Sequence, residues 1–306
     1  MNRTFAPVVL FVYTKLDTTK KTVKALSNNN TASETDLIIF SDGGKDEKSW
    51  NKVNKLRSYL KTIKGFKSVK IVERQENYYL ERNVIEGITE VVNEYGKVIV
   101  LEDDILTSEY FLDYMNDALD KYENESRIMH IVSINFFDMP NDYDITFTAY
   151  NGGWGWATWK NRWCQFKHFK SRTEALSGLN EEDIENLEYG GNFKCLHTLD
   201  CTPIPWDICW HIEVYKNNGL CVEPSFPMAR NIGLYNGTHF NNSRLLGKFK
   251  YDKPFFSKKI KKFPPIIEKN DKIEQLCYTS IGAFSFKYNI LGKIVRYFYK
   301  LIKNHL

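Results

Sequence analysis

No stretch of this 306-residue chain reaches the roughly 18 consecutive apolar residues that a membrane-spanning helix needs. The apolar run Ala6–Val12 is short and turns at once to Thr14-Lys15-Leu16-Asp17, so it reads as a first core strand and not as a signal peptide. Six cysteines (164, 195, 201, 209, 221 and 277) form no C-x-x-C pair, which points to reduced thiols in a cytoplasmic setting. Cys195-x-His197, Cys201 and Cys209-x-His211 have spacings that fit no closed zinc module. There is no G-x-S-x-G elbow to mark a hydrolase serine, and there are no internal repeats.

What is present is a large core and an uneven charge. Apolar residues make up 42% of the chain, enough for one large α/β domain. The net charge of +4 hides an asymmetry, because residues 247–306 carry 14 Lys and Arg against 4 Asp and Glu. The body is therefore acidic, which argues against a nucleic-acid partner, since such binding rests on neutralised phosphates. The basic tail suits anionic lipid or an acidic polymer.

Over the first 135 residues, short β-rich runs alternate with helical patterns, and this order implies a mostly parallel sheet with crossover helices. Strands are expected at Val8 to Tyr13, Leu37 to Phe40, Val69 to Val72, Val98 to Leu101 and Ile128 to Ile134. Asp17 is the expected cap of the first helix. Leu80, Val84, Ile88 and Val91 form the stripe of another, stopped by Gly96. Ser108 is the expected cap of a helix whose Phe111, Met115, Ala118 and Tyr122 share a face. A further helix is expected from Pro205 to Asn218, with Gly219 as its stop. Residues 1–135 read as a nucleotide-binding half, 136–246 as an acceptor-shaping half of the same domain, and 247–306 as a basic C-terminal helical appendage. Within it, Ile290, Ile294, Phe298 and Leu301 form a stripe with interspersed Lys293, Arg296 and Lys300, fitted to an anionic membrane or to the catalytic body.

Open parallel sheets bind ligands beyond the carboxyl ends of their strands. The residues there are Thr14-Lys15-Leu16-Asp17, Ser41-Asp42-Gly43-Gly44, Glu73-Arg74 and Glu102-Asp103-Asp104. No G-x-G-x-x-G or G-x-x-x-x-G-K-[ST] accompanies them, which argues against a dinucleotide oxidoreductase and a P-loop ATPase. Three adjacent carboxylates after the buried run Val98–Leu101 call for a positive partner, and Mg²⁺ or Mn²⁺ shared with a substrate diphosphate is the natural one. The alternative is a solvated acidic loop leading into a helix. Asp42 suits either a nucleoside or a turn. Asp207 suits either a general base or the first turn of a helix. Trp154, Trp156, Trp159 and Trp163 suit either a sugar-stacking wall or the core, and Gly152, Gly153 and Gly155 permit close backbone approach. His239, in a turn-like segment, is either a metal ligand or diphosphate donor, or a surface histidine.

At these residues the chain resembles the GT-A glycosyltransferases. Within them it is similar to the inverting N-acetylglucosaminyltransferase family that initiates complex N-glycans and to bacterial family-2-like sugar transferases. The motifs are Phe40-Ser41-Asp42-Gly43, Val100-Leu101-Glu102-Asp103-Asp104, Gly153-Trp154-Gly155-Trp156, Trp206-Asp207 and Gly237-Thr238-His239, within roughly 6–242. The resemblance implies a nucleotide-sugar donor, with UDP as its nucleotide, and a glycan or lipid-linked glycan acceptor. It also implies Mn²⁺ or Mg²⁺ on Asp104, ribose and sugar contacts from Glu102 and Asp103, base contact from Asp42, and Asp207 as general base. Many bacterial relatives carry Asn-Arg where Thr14-Lys15 stand here, so Arg82 is the expected substitute for the missing positive charge. The alternatives carried beside this reading are a sugar-nucleotide pyrophosphorylase and a non-catalytic glycan-binding protein of the same fold.

Overall fold

A computed structural model describes residues 3–135, 142–189, 193, 195–233 and 258–282. Its centre is an eight-stranded mixed sheet. The strands are β1 (Val8–Val12), β2 (Asp36–Ser41), β3 (Ser68–Glu73), β4 (Lys97–Glu102), β6 (Ile128–Val132), β7 (Ile145–Thr148), β8 (Trp156–Trp159) and β9 (Leu220–Pro224). Their order across the sheet is β3-β2-β1-β4-β8-β6-β9-β7. The first four run parallel, as alternation with helices predicts. β8 pairs antiparallel with both β4 and β6. The Trp-rich segment thus supplies a strand that separates β6 from β4, its neighbour in the simple alternating reading. Two short strands, β5 (Ile105–Thr107) and β10 (Ala229–Asn231), form a separate antiparallel ribbon.

Side-chain alternation along the central strands builds a core on each face. Val8, Leu10, Val12, Leu37 and Ile39 point to one face, where α1 (Leu16–Ser27), α2 (Glu47–Leu60) and α4 (Phe111–Lys121) cover them. Val9, Phe11, Ile38 and Phe40 point to the other, under α3 (Tyr79–Tyr95) and α9 (Trp206–Lys216). Between β8 and α9 run the short helices α5 (Lys160–Trp163), α6 (Arg172–Leu176), α7 (Glu181–Leu187) and α8 (Cys195–Thr198). This polar stretch makes a small core of its own against α9, from Phe169, Ala175, Leu187, Cys195, Leu199, Ile208, Cys209 and Ile212.

Local signals held unevenly. α3 ends at Gly96 in the left-handed conformation, φ 79°, and Val84, Ile88 and Val91 are buried. Leu80 is exposed, in the first turn of a helix entered through Tyr79 at φ 59°. Lys15 occupies the cap position of α1 and Asp17 lies in its first turn, where a carboxylate serves the helix dipole and not the cap. Ser108 does not cap α4, whose cap position is Tyr110; its backbone carbonyl accepts from Phe111 N, and its hydroxyl faces the Met228 sulfur. Trp156, Trp159 and Trp163 are core residues, and only Trp154 of the four is half-buried. All six cysteines are free. Residues 258–282 lie against the body, with Ile260 in the first core, Ile273 and Cys277 of α10 (Asp271–Gly282) in the second, and Lys258 and Lys259 paired with Asp144 and Asp113. The 290–301 stripe lies outside the described residues. Among those described, no helix is long and apolar enough to cross a membrane.

Candidate functional site

Register brings the strand-end candidates together. Val12 pairs with Ser41, Ser41 with Glu73, and Phe11 with Glu102, so β1 to β4 end level along one rim. Asp42 N continues the ladder to Val12 O at 3.0 Å, and Arg74 N does so to Ser41 O at 2.9 Å. A buried arginine that sequence reasoning missed ties the rim: Arg57 donates to the Ser41 hydroxyl and to the carbonyls of Ser41, Asp42 and Arg74 at 2.7–3.3 Å. Its signal was faint, a charge standing in the Val53-Leu56-Leu60 stripe of α2.

The acidic run turns from β4 into β5. Asp103 and Asp104 are buried, and Lys15 reaches both, with its Nζ 3.4 Å from Asp103 Oδ1 and 2.9 Å from Asp104 Oδ2. The second oxygen of Asp104, Oδ1, is buried without a hydrogen-bond partner. An acceptor left unmet in this way costs free energy unless a cation or donor arrives. The backbone of Asp104 is pinned by Ile232 N at 2.8 Å, and a Cβ on Gly233 would stand 1.9 Å from Asp104 Oδ2. Gly233 is thus a neighbour of the acidic run that only the fold reveals.

Electrostatics mark this corner. Burial, then the charges of Asp104, Asp103 and Asp207, push half-buried Glu102 up to about 8, with Lys15 pulling the other way. Burial likewise raises Asp103 to about 6 against the pull of Lys15. Lys15 itself titrates above its ordinary value, because the two aspartates outweigh its own desolvation. Asp207 therefore belongs to the same field, although it comes from α9. Ten of that helix's eleven residues are buried or half-buried, and Asp207 is its one exposed residue. Trp206 anchors it by stacking on Trp156, with centroids 5.5 Å apart.

A second corner surrounds Asp42. Its Oδ1 accepts from Gly43 N and Tyr78 N, at 2.9 and 2.7 Å, and its Oδ2 accepts from Asn77 Nδ2 at 3.1 Å. Burial raises its pKa despite these donors. The carboxylate thus binds its own chain on both oxygens. Gly43 is required for the same reason, since a Cβ there would lie 2.4 Å from the Glu76 backbone. Arg82 stacks on Tyr78 with its guanidinium carbon 3.5 Å from the ring centroid, and pairs with Glu76 and Glu86. It borders the Asp42 corner and makes no contact with the acidic run. Neither Asn77 nor Tyr78 carries a sequence signal.

The third wall is the Gly152–Gly155 loop. Ser133 Oγ donates to the carbonyls of Trp154 and Gly155. Gly155 has φ 79°, and a Cβ there would meet Ser133 Oγ at 2.7 Å, so this glycine serves its own backbone and packing. Beside it a Cβ on Gly153 would touch Trp206, next to Asp207. His239 lies outside the described residues.

The rim therefore unites Lys15, Glu102, Asp103, Asp104 and Asp207, with Asp42 and Arg82 at one side and Trp154 and Gly155 at another. Among solved structures the chain is similar to a mannosyltransferase, PcManGT from Pyrobaculum calidifontis, in complex with GDP-Man and Mn²⁺, at 11% identity and TM-score 0.40, covering 70% of each chain. It is also similar to S. aureus TarS 1–349 in complex with UDP-GlcNAc, at 12% identity and TM-score 0.34, covering 46% of this chain and 38% of that one. A second structure of TarS 1–349 is matched over 71% of this chain and 57% of that one, at 8% identity and TM-score 0.41, so the chain spans less than two thirds of that fragment in either comparison. No curated protein matches it in sequence. The model of glycosyl transferase family 2 matches residues 8–177, from the first residue of β1 to the end of α6, and so encloses the rim from Lys15 to Gly155. With more than half of its length matched, and an α/β sheet whose strands β1 to β4 run parallel beneath the matched residues, the chain belongs to glycosyl transferase family 2.

Proposed function

We propose that this protein is an inverting glycosyltransferase that moves a hexose or N-acetylhexosamine from a UDP-sugar to a hydroxyl of a glycan or lipid-linked glycan, in bacterial surface polysaccharide synthesis. The observation that carries the reading is the meeting of two elements far apart in sequence. Asp207, the one exposed residue of α9, follows Trp206, which stacks on Trp156 of β8 and lies against Gly153, and β8 pairs with the strand that ends in the acidic run.

In this reading Asp104, with Asp103 beside it, holds Mn²⁺ or Mg²⁺, and His239 is its further ligand. The unpartnered, buried Oδ1 of Asp104 fits such an ion. The bound ion supplies charge neutralisation on the departing nucleoside diphosphate. Glu102 and Asp103 orient ribose and sugar, and the Asp42 corner, bordered by Arg82, frames the base. Half-buried Trp154 lines the sugar, and Gly155 shapes the loop that carries it. Asp207 Oδ takes the acceptor's proton as that hydroxyl attacks from the side opposite the leaving group, which inverts the sugar carbon. The protein works in the cytoplasm, with its basic C-terminal segment against an anionic inner membrane face.

The test is UDP release over a panel of nucleotide-sugars with Mn²⁺ and a glycan acceptor. One UDP-sugar should release UDP, and Asp104→Ala should abolish the release. Metal-dependent turnover that survives Asp104→Ala overturns the assignment. Production of UDP-sugar from UTP and a sugar phosphate would establish a pyrophosphorylase in its place.

A further inference from the structure

Two aspartates, each less than a tenth exposed, stand side by side on the turn after β4. Such a pair is tolerated in the interior with a cation against it or with one carboxyl protonated. The chain supplies that cation itself, since Lys15 Nζ lies 2.9 Å from one carboxylate and 3.4 Å from the other. It bridges the two groups much as a hard divalent ion would. What it leaves unmet is Asp104 Oδ1, buried and without a partner.

The surroundings determine which wall of this space can open. Asp104 is fixed from behind by backbone, through Ile232 N on its carbonyl and Gly233 against its carboxylate. Asp103 is held through its carbonyl by the Thr22 hydroxyl at 3.2 Å. The Lys15 side chain, by contrast, is half exposed. Its backbone is anchored, because the Lys15 carbonyl accepts from Thr19 N and from the hydroxyls of Thr18 and Thr19. The ammonium can therefore swing by rotamer changes alone while the start of α1 stays in place.

We propose that Lys15 is the resident counter-cation of the Asp103–Asp104 pair, that it competes with the divalent ion for those carboxylates, and that on ion binding it swings onto the donor's diphosphate. This rests on the reading of the rim as a metal and nucleotide-sugar site. A lysine that only bound the diphosphate would leave the metal-free acids unpaired, and one that only balanced charge would have no task once the ion arrived. Competition predicts opposite signs for two affinities when the charge is removed. Binding of the ion alone strengthens, because nothing has to be displaced. Binding of the nucleotide on top of the ion weakens, because a diphosphate partner is gone. Damage to the fold would weaken both.

The experiment titrates the full chain with Mn²⁺ alone, following the free ion by electron paramagnetic resonance, and then titrates UDP by calorimetry at saturating Mn²⁺. Lys15→Met should bind Mn²⁺ about ten-fold tighter or more than the wild type, and UDP about ten-fold more weakly or worse. Lys15→Arg, which keeps the charge, should stay within about three-fold of the wild type for Mn²⁺. Lys15→Gln, which retains a donor for the aspartates, provides the same reading if the methionine variant fails to fold. Mn²⁺ affinity that is unchanged or lower in both neutral variants overturns the competition, and UDP affinity unchanged in them overturns the swing. Asp104→Asn separates the two layers. If it loses Mn²⁺ while the lysine variants behave as wild type, only the role of Lys15 falls. If no form binds Mn²⁺, with or without UDP, the metal reading of the proposed function falls with it.

Discussion

Trp210 Nε1 donates to His130 Nδ1 at 3.1 Å, and this bond fixes which nitrogen of the buried ring carries the proton. Nε2 must then donate, and it does so to Gly152 O at 3.1 Å, in the loop that leads to Trp154. The ring also stacks on Trp156, with centroids 4.7 Å apart. One neutral histidine thus joins β6, α9 and the Gly152–Gly155 loop.

Acid should undo this junction. Burial lowers the His130 pKa from 6.5 to about 3, although the Gly152 carbonyl favours the protonated form. The unfolded ring takes up its proton near 6.5 and the folded ring resists until about 3. The unfolded state therefore binds more protons in that window, and stability falls as pH drops through it. At pH 5 the contribution is a loss of about 2 kcal/mol relative to neutral pH. Urea unfolding at pH 7 and pH 5 should show His130→Gln losing less stability over that step than the wild type. Equal losses would mean that the ring does not titrate as its burial requires.

Arg57 tests how the rim is held. It satisfies four acceptors at the ends of β2 and β3, and Ser41 is completely buried. Arg57→Met would keep much of the side-chain volume and strand three of those acceptors, since Ser41 O keeps Arg74 N. The expected loss is about 3 kcal/mol, measurable as a lower urea midpoint at unchanged slope. UDP affinity should also fall, because the carbonyl of Asp42 is among the freed groups. A variant as stable as the wild type would show that water replaces the guanidinium at no cost.

Gly43→Ala probes the Asp42 corner without removing its carboxylate. The added methyl would meet the Glu76 backbone at 2.4 Å, and backbone yields less readily than a side-chain tip. Overpacking of this kind costs about 1–3 kcal/mol. Because Asn77 and Tyr78 follow directly, the donors on Asp42 should shift, and nucleotide affinity should fall more than Mn²⁺ affinity. Equal effects on both ligands would mean that the two corners are mechanically one.

The parallel half of the fold was legible because β1, β2 and β4 are buried on both faces and read as continuous apolar runs, which alternation with helices then orders. β8 was not legible, since Trp156-Ala-Thr-Trp159 reads as well as core aromatics in any conformation. Its place between β4 and β6 depends on long-range pairing that no local pattern encodes. At the site, the residues that end strands announced themselves, as Lys15 and the acidic run show. Asn77, Tyr78, Gly233 and Arg57 did not, because their importance lies in what folds against them. Asp42 shows the limit from the other side. Its sequence context is the same whether it holds a ligand or its own loop, and here both oxygens are engaged by Gly43, Asn77 and Tyr78.

Asp207 carries the clearest catalytic test. A carboxylate in the first turn of a helix has an ordinary use as a dipole partner, and its Oδ1 accepts from Ile208 N at 2.9 Å. That use predicts a loss of stability on replacement, with little effect on turnover beyond it. General-base use predicts the reverse. Asp207→Asn keeps the shape and an acceptor oxygen for Ile208 N, so the fold should hold within about 1 kcal/mol, while kcat should fall by about a hundred-fold or more. UDP binding with Mn²⁺ should stay near the wild-type value, because in the proposed mechanism the residue meets the acceptor hydroxyl and not the nucleotide. Thermal unfolding, UDP calorimetry and single-turnover transfer on one preparation separate the two uses. If transfer survives at more than about a tenth of the wild-type rate, proton removal belongs to another group.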